Sequence, residues 1–143
     1  MKETFDKIIE FTLKCEGGYV NDPLDPGGET NMGISKRSHP DVDIANLTKE
    51  QAREIYYKEY WKQAGCEQLK WPLDAVVFDC AVNCGIELAR SFLHRSDDWT
   101  DHLMARLRYY AKLELFHRYG RGWIRRVINL YEWIIIENRM VTK

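Results

Sequence analysis

The apolar positions near the start of the chain recur with a helical period. Phe5, Ile8, Ile9, Thr12 and Leu13 fall at i, i+3, i+4, i+7 and i+8, the spacing that lines one face of an amphipathic helix. The pattern runs to about Cys15, and Gly17-Gly18 then offers residues that tolerate positive φ, a common helix stop. Between residues 19 and 46 the period is lost. Asn-Asp-Pro, Asp-Pro-Gly-Gly and His-Pro breaks separate short apolar patches such as "NMGIS", which predicts loops and at most a small hairpin. Helical spacing resumes at "LTKEQ", a capping box with Thr48 as N-cap and Gln51 at N3, and the helix it opens carries "AREIYYKEYW".

Pro72 suits the first turn of the next helix, and "LDAVVFDCAVNC" after it is apolar nearly all round, the mark of a buried helix that ends near Gly85. A shorter helix continues through "ELARSFLH". Thr100 is placed to cap "DHLMARLRYYAKLELFHRY", which Gly120 and Gly122 are expected to end. The last helix, "WIRRVINLYEWIIIENR", sets Trp123, Val127, Leu130 and Ile134 along one stripe. No repeat and no linker divides the chain. The pattern predicts a mainly α single domain, a helical bundle around a central buried helix with a small loop or hairpin element near the N-terminus.

Composition agrees with one folded domain, since 143 residues with 45% apolar and 13% aromatic content can bury a core. A net charge of −1 argues against a nucleic-acid binder that works by neutralising phosphates. The average hides a gradient. Residues 1–100 carry 12 Lys/Arg against 18 Asp/Glu, a balance of −6, and residues 101–143 carry nine against four, a balance of +5. Charges interrupt the apolar residues of "MKETFDKIIEFTLKCEGG", so no signal-peptide core is visible, and no apolar run is long enough to span a bilayer. Synthesis in the cytoplasm and no stable membrane insertion are expected, with any task beyond the membrane requiring another protein for release. Cys15, Cys66, Cys80 and Cys84 read as free, buried thiols; no CxxC pair or paired histidines complete a zinc pattern, so no metal is expected.

The chemistry concentrates in "EGGYVNDPLDPGGET", residues 16–30, which holds four glycines, two prolines and four carboxylates. As a metal loop it fits poorly: an EF-hand needs ligands at alternate positions and a glycine at six, and here prolines interrupt that order. As a plain surface turn its acids would only be solvated. Glycoside hydrolysis is the third reading. It needs a proton donor to the glycosidic oxygen and, in most families, a second carboxylate opposite. Glu16 ends a rigid helix beside its apolar stripe, a support from which a donor can be aimed across a cleft. The turning loop would bring Asp25 or Asp22 back toward it, and the Thr30 hydroxyl could orient a water. Tyr19 and Trp61 are candidates to contact a glycan, whereas Tyr57 and Tyr60 read as core. Asp79 and Asn83, one turn apart on the apolar central helix, need buried partners and are expected to tie the loop to the core. Arg118, Arg121, Arg125 and Arg126 read as a solvated basic face, with attraction to an anionic wall as the alternative.

"CEGGYVNDPLDPGGETNMGISKRS" resembles the N-terminal signature of glycoside hydrolase family 108, N-acetylmuramidases found as phage endolysins and secretion-activator proteins. The resemblance continues through "LTKEQAREIYYKEYW" and "FDCAVNCG" and reaches "GRGWIRRV", which looks like the family's C-terminal peptidoglycan-binding region. It implies a lysozyme-like fold over residues 1–143, with 1–95 catalytic and 96–143 binding the wall. It puts the catalytic glutamate at Glu16. The spacing is similar to the wider phage-lysozyme pattern: eight residues separate Glu16 from Asp25, as there, but four separate Asp25 from Thr30, one fewer. Asp22 therefore stays open as the second carboxylate. The implied function is hydrolysis of the β-1,4 bond between N-acetylmuramic acid and N-acetylglucosamine in peptidoglycan, without a cofactor. The implied setting is a monomer acting in the periplasm or cell wall, let out by a holin or a secretion pore. The rival is a non-catalytic peptidoglycan-binding module.

Overall fold

The structure, a computed structural model, describes residues 2–141. The chain forms two compact units, Met1–Lys62 and Gln63–Lys143.

In the first unit, α1 (Lys2–Glu16) buries Phe5, Ile8, Ile9, Thr12 and Leu13, the predicted stripe. Gly17 ends it in the left-handed region (φ 80°), and its N–H reaches Leu13 O at 3.2 Å. A three-stranded antiparallel sheet follows, in the order β1 (Val20–Asn21), β2 (Glu29–Asn31), β3 (Ile34–Ser35). Val20 lies opposite Thr30, and Thr30 opposite Ser35. The hairpin between β2 and β3 turns on Met32 and Gly33, both at positive φ (49° and 79°), as a two-residue I′ turn requires. The capping box opens α2 (Lys49–Tyr56): Gln51 N–H donates to Thr48 Oγ1 at 3.2 Å and Thr48 N–H to Gln51 Oε1 at 2.9 Å. A π-helical turn, Tyr57–Trp61, extends it. Arg53 of α2 bonds Asp6 and Glu10 of α1, which fixes the two helices side by side.

The second unit is helical. A 3-10 turn (Cys66–Gln68) leads to α3 (Leu73–Cys84), then α4 (Ile86–Leu93), α5 (Trp99–Ala111) and α6 (Phe116–Val141). Every residue of α3 from Leu73 to Ala81 is buried, as its all-round apolar sequence predicts. Two expectations are corrected here. The cap of α5 is Asp98 rather than Thr100: Asp98 Oδ1 accepts from the N–H groups of Thr100 (2.7 Å) and Asp101 (3.4 Å). Gly120 and Gly122 do not end a helix; they lie inside α6, and the break falls at residues 112–115 instead. Gly120 is a packing glycine. A Cβ there would lie 2.6 Å from the Phe116 ring, so the missing side chain gives that ring its place.

Candidate active site

Glu16 is the last residue of α1 and is half-buried. Its surroundings come from two other elements of the first unit. The β2–β3 turn comes so near that a Cβ on Gly33 would lie 2.9 Å from Glu16 Oε2 and 3.0 Å from Glu16 Cβ, and would also collide with Tyr56 Oη. Only a glycine fits between them, and the turn's positive φ asks for one as well. From α2, Tyr56 donates its hydroxyl to Met32 O at 2.8 Å and so pins the turn beside the acid. Tyr60, on the π-helical turn, is half-buried; burial first, then the charges of Glu59 and Glu16, push its phenol up from the ordinary range.

The loop acids stand differently. Asp22 and Asp25 are exposed, and each spends one oxygen on a turn of its own: Leu24 N–H donates to Asp22 Oδ1 at 2.9 Å, and Gly27 N–H to Asp25 Oδ1 at 2.7 Å. Backbone bonds from Asp25 N–H to Asp22 O and from Gly28 N–H to Asp25 O, both 3.0 Å, make the loop two consecutive turns. Thr30 is half-buried at the centre of the middle strand. Tyr19 is 47% exposed and donates its hydroxyl to Glu29 Oε2 at 2.8 Å. Trp61 corrects the sequence reading. It is 1% exposed with its ring against Phe5, so it is core and presents no face to a sugar.

Two residues at the acid, Gly33 and Tyr56, escape the sequence argument; the signal that distinguishes Gly33 is the turn between "TN" and "IS", which brings position 33 to the helix end. Among the described residues no group of three or more His, Cys, Asp or Glu side chains stands ready to hold a metal ion. The arrangement suits proton transfer from one carboxyl on a rigid helix end, with further carboxylates on the loop that follows.

The sequence profile described as glycosyl hydrolase 108 matches residues 9–85, more than half of the chain, from the middle of α1 to just past the end of α3. The chain belongs to glycosyl hydrolase family 108. It is therefore a glycoside hydrolase, and its family acts on peptidoglycan. A solved structure of SagA from Brucella abortus is similar over 95% of this chain and 96% of that one, with 27% identity and a TM-score of 0.79. The mainly helical, lysozyme-like fold expected for family 108 is the fold found here. No curated protein sequence matches the chain. Among the described residues of this hydrolase no helix is long and apolar enough to cross a membrane.

Proposed function

We propose that this family 108 hydrolase is an N-acetylmuramidase that cuts the β-1,4 bond between N-acetylmuramic acid and N-acetylglucosamine, with Glu16 as general acid. One observation carries the reading: Glu16 ends a helix and is walled by Gly33 and Tyr56. A donor needs that rigidity, because proton transfer requires the carboxyl within about 3 Å of the glycosidic oxygen.

In this mechanism Glu16 protonates the leaving oxygen as the bond lengthens and positive charge builds on the sugar ring. Asp25 acts from the opposite face, activating water or stabilising that charge, and the Thr30 hydroxyl orients the water. Asp22 is the alternative second carboxylate. The Tyr19 ring, held by Glu29, offers a flat face to a sugar. No cofactor enters. Residues 1–95 would carry the chemistry and 96–143 would hold the wall, within one lysozyme-like domain and one monomer. The setting we favour is a bacteriolytic phage endolysin or a secretion helper, made in the cytoplasm and released to the wall by a holin or secretion pore.

Mass spectrometry of peptidoglycan digested by the purified chain tests the bond. Fragments ending in reducing N-acetylmuramic acid are expected. Reducing N-acetylglucosamine ends would make the enzyme a glucosaminidase, and anhydro ends a transglycosylase.

A further inference from the structure

Tyr56, the last residue of α2, is only 2% exposed, yet its hydroxyl serves another element. It donates to Met32 O at 2.8 Å, the carbonyl of the first residue in the β2–β3 turn. Met32 stands at positive φ (49°), a conformation that a residue with a side chain keeps only where its surroundings hold it. The Tyr56 bond supplies such a hold. Tyr56 is itself fixed relative to the helix that ends in Glu16. One turn back on α2, Arg53 pairs with Asp6 and Glu10 of α1, and Lys49 at the start of α2 pairs with Glu10 as well.

The acid, the turn and the phenol meet in one small space. A Cβ on Gly33 would lie 2.9 Å from Glu16 Oε2 and would collide with Tyr56 Oη, so both oxygens border the point where that methyl group would stand. The phenol has one hydrogen, and Met32 O takes it. Toward Glu16 the same oxygen can therefore only accept. That suits a carboxyl carrying its proton and offers nothing to one that has lost it. The protonated carboxyl is the form in which a general acid begins its cycle.

We propose that Tyr56 is a positioning residue for the reaction: through Met32 O it holds the β2–β3 turn against Glu16 and so keeps the carboxyl aimed at the glycosidic oxygen. The inference rests on the reading of Glu16 as general acid. Tyr56 is buried and acts through the turn, without touching substrate. Alignment matters at this step, because a misplacement of about 1 Å can cost about 10²-fold in rate. The hydroxyl is the part of the residue that counts. A phenylalanine ring would fill the same place in the core, but it would leave Met32 O without this donor and the turn free to draw away from the acid.

The test uses Tyr56→Phe in the intact full-length chain, with a soluble oligosaccharide of alternating N-acetylglucosamine and N-acetylmuramic acid as substrate. The variant should lose about 10–10²-fold in kcat, with KM nearly unchanged and only a small fall in melting temperature. Placed on a Glu16→Gln background, the same substitution should cost nothing further, because the group it positions no longer donates a proton. A residue that merely supports the fold would give the reverse, a large fall in melting temperature and the same fractional loss of rate on both backgrounds. That result overturns the positioning role. So does an unchanged kcat, a loss confined to KM, or a Tyr56→Phe protein that fails to fold. Failure of the Glu16 reading looks different, since Glu16→Gln alone would then keep its rate.

Discussion

Gly33 and Glu16 share a space that admits no methyl group, so position 33 tests whether that closeness matters. Gly33→Ala is expected to lower the lysis rate of purified sacculi far more than it lowers stability, because the new Cβ must displace the Glu16 side chain. Gly65→Ala is the control: its φ of 77° nearly equals the 79° of Gly33, but nothing lies within 4 Å, so it should show only the left-handed strain of about 1–2 kcal/mol. Equal loss of activity in the two variants would sink the packing argument. Glu16→Gln should reduce turnover by roughly 10²–10⁴-fold with the melting temperature unchanged, since the amide keeps the shape but gives up no proton. Lysis at near wild-type rate would remove Glu16 from the mechanism. The place of Glu16 at a helix end was legible in the sequence because a clean helical stripe ran into two glycines beside it. Its aromatic neighbours were not. A 3.6-residue period read through "IYYKEYW" misplaces the side chains after Tyr57, where the chain makes a π-helical turn with Lys62 N–H bonded to Tyr57 O. That turn leaves Tyr60 half-buried and drives Trp61 into the core, the reverse of the sequence assignment.

Between elements, two predictions separate chemistry from support. In the β1–β2 loop, Asp22 and Asp25 each hold a turn through Oδ1, and asparagine keeps that oxygen. Asp22→Asn and Asp25→Asn should therefore leave stability nearly alike, while Asp25→Asn cuts initial lysis rates far more. The opposite order of rates transfers the role to Asp22. In the helical unit, Asp79 joins α3 to α5 and α6. Its folded value of about 2 lies below the ordinary 3.8, so the stability it supplies is present above about pH 4 and is lost as pH falls toward 2. The shift corresponds to roughly 2 kcal/mol. Asp79→Asn should flatten the pH dependence of the urea midpoint in that window. It should also cost about 3–5 kcal/mol at neutral pH, because two arginines lose their shared counter-charge. Parallel pH curves for the two proteins would remove Asp79 from the acid transition. The sequence required a partner for Asp79 but placed it at the loop; the partners are arginines 27 and 47 residues away, a separation no local pattern encodes. The break between α5 and α6 was illegible for another reason: no glycine or proline marks residues 112–115, whereas the two glycines that looked like stops lie inside α6, where Gly120 makes room for the Phe116 ring and Gly122 faces open space.

Across the whole molecule, charge is the property the sequence displays most openly, with −6 over residues 1–100 and +5 over 101–143. What it did not display is which arginines reach solvent. Arg118, Arg121 and Arg125 are exposed along α6, but Arg126 borders the buried stripe of Val127 and Leu130 and is bonded to Asp79. The four therefore divide by task. If the exposed three speed the encounter with an anionic wall, their effect must follow the Debye length, about 10 Å at 0.1 M salt and about 3 Å at 1 M. Replacing Arg118, Arg121 and Arg125 together with glutamine should slow lysis of sacculi at low salt and leave it nearly unchanged at high salt. Hydrolysis of a short, less charged oligosaccharide should fall less at every salt concentration. Arg126→Gln should behave in the opposite way, lowering the melting temperature at all ionic strengths because its ion pair is buried and little screened. The measurement is lysis rate and melting temperature of each protein against ionic strength. Rate curves for the triple variant that run parallel to wild type return the exposed arginines to a solvated face, and an Arg126→Gln protein as stable as wild type would dissolve the division.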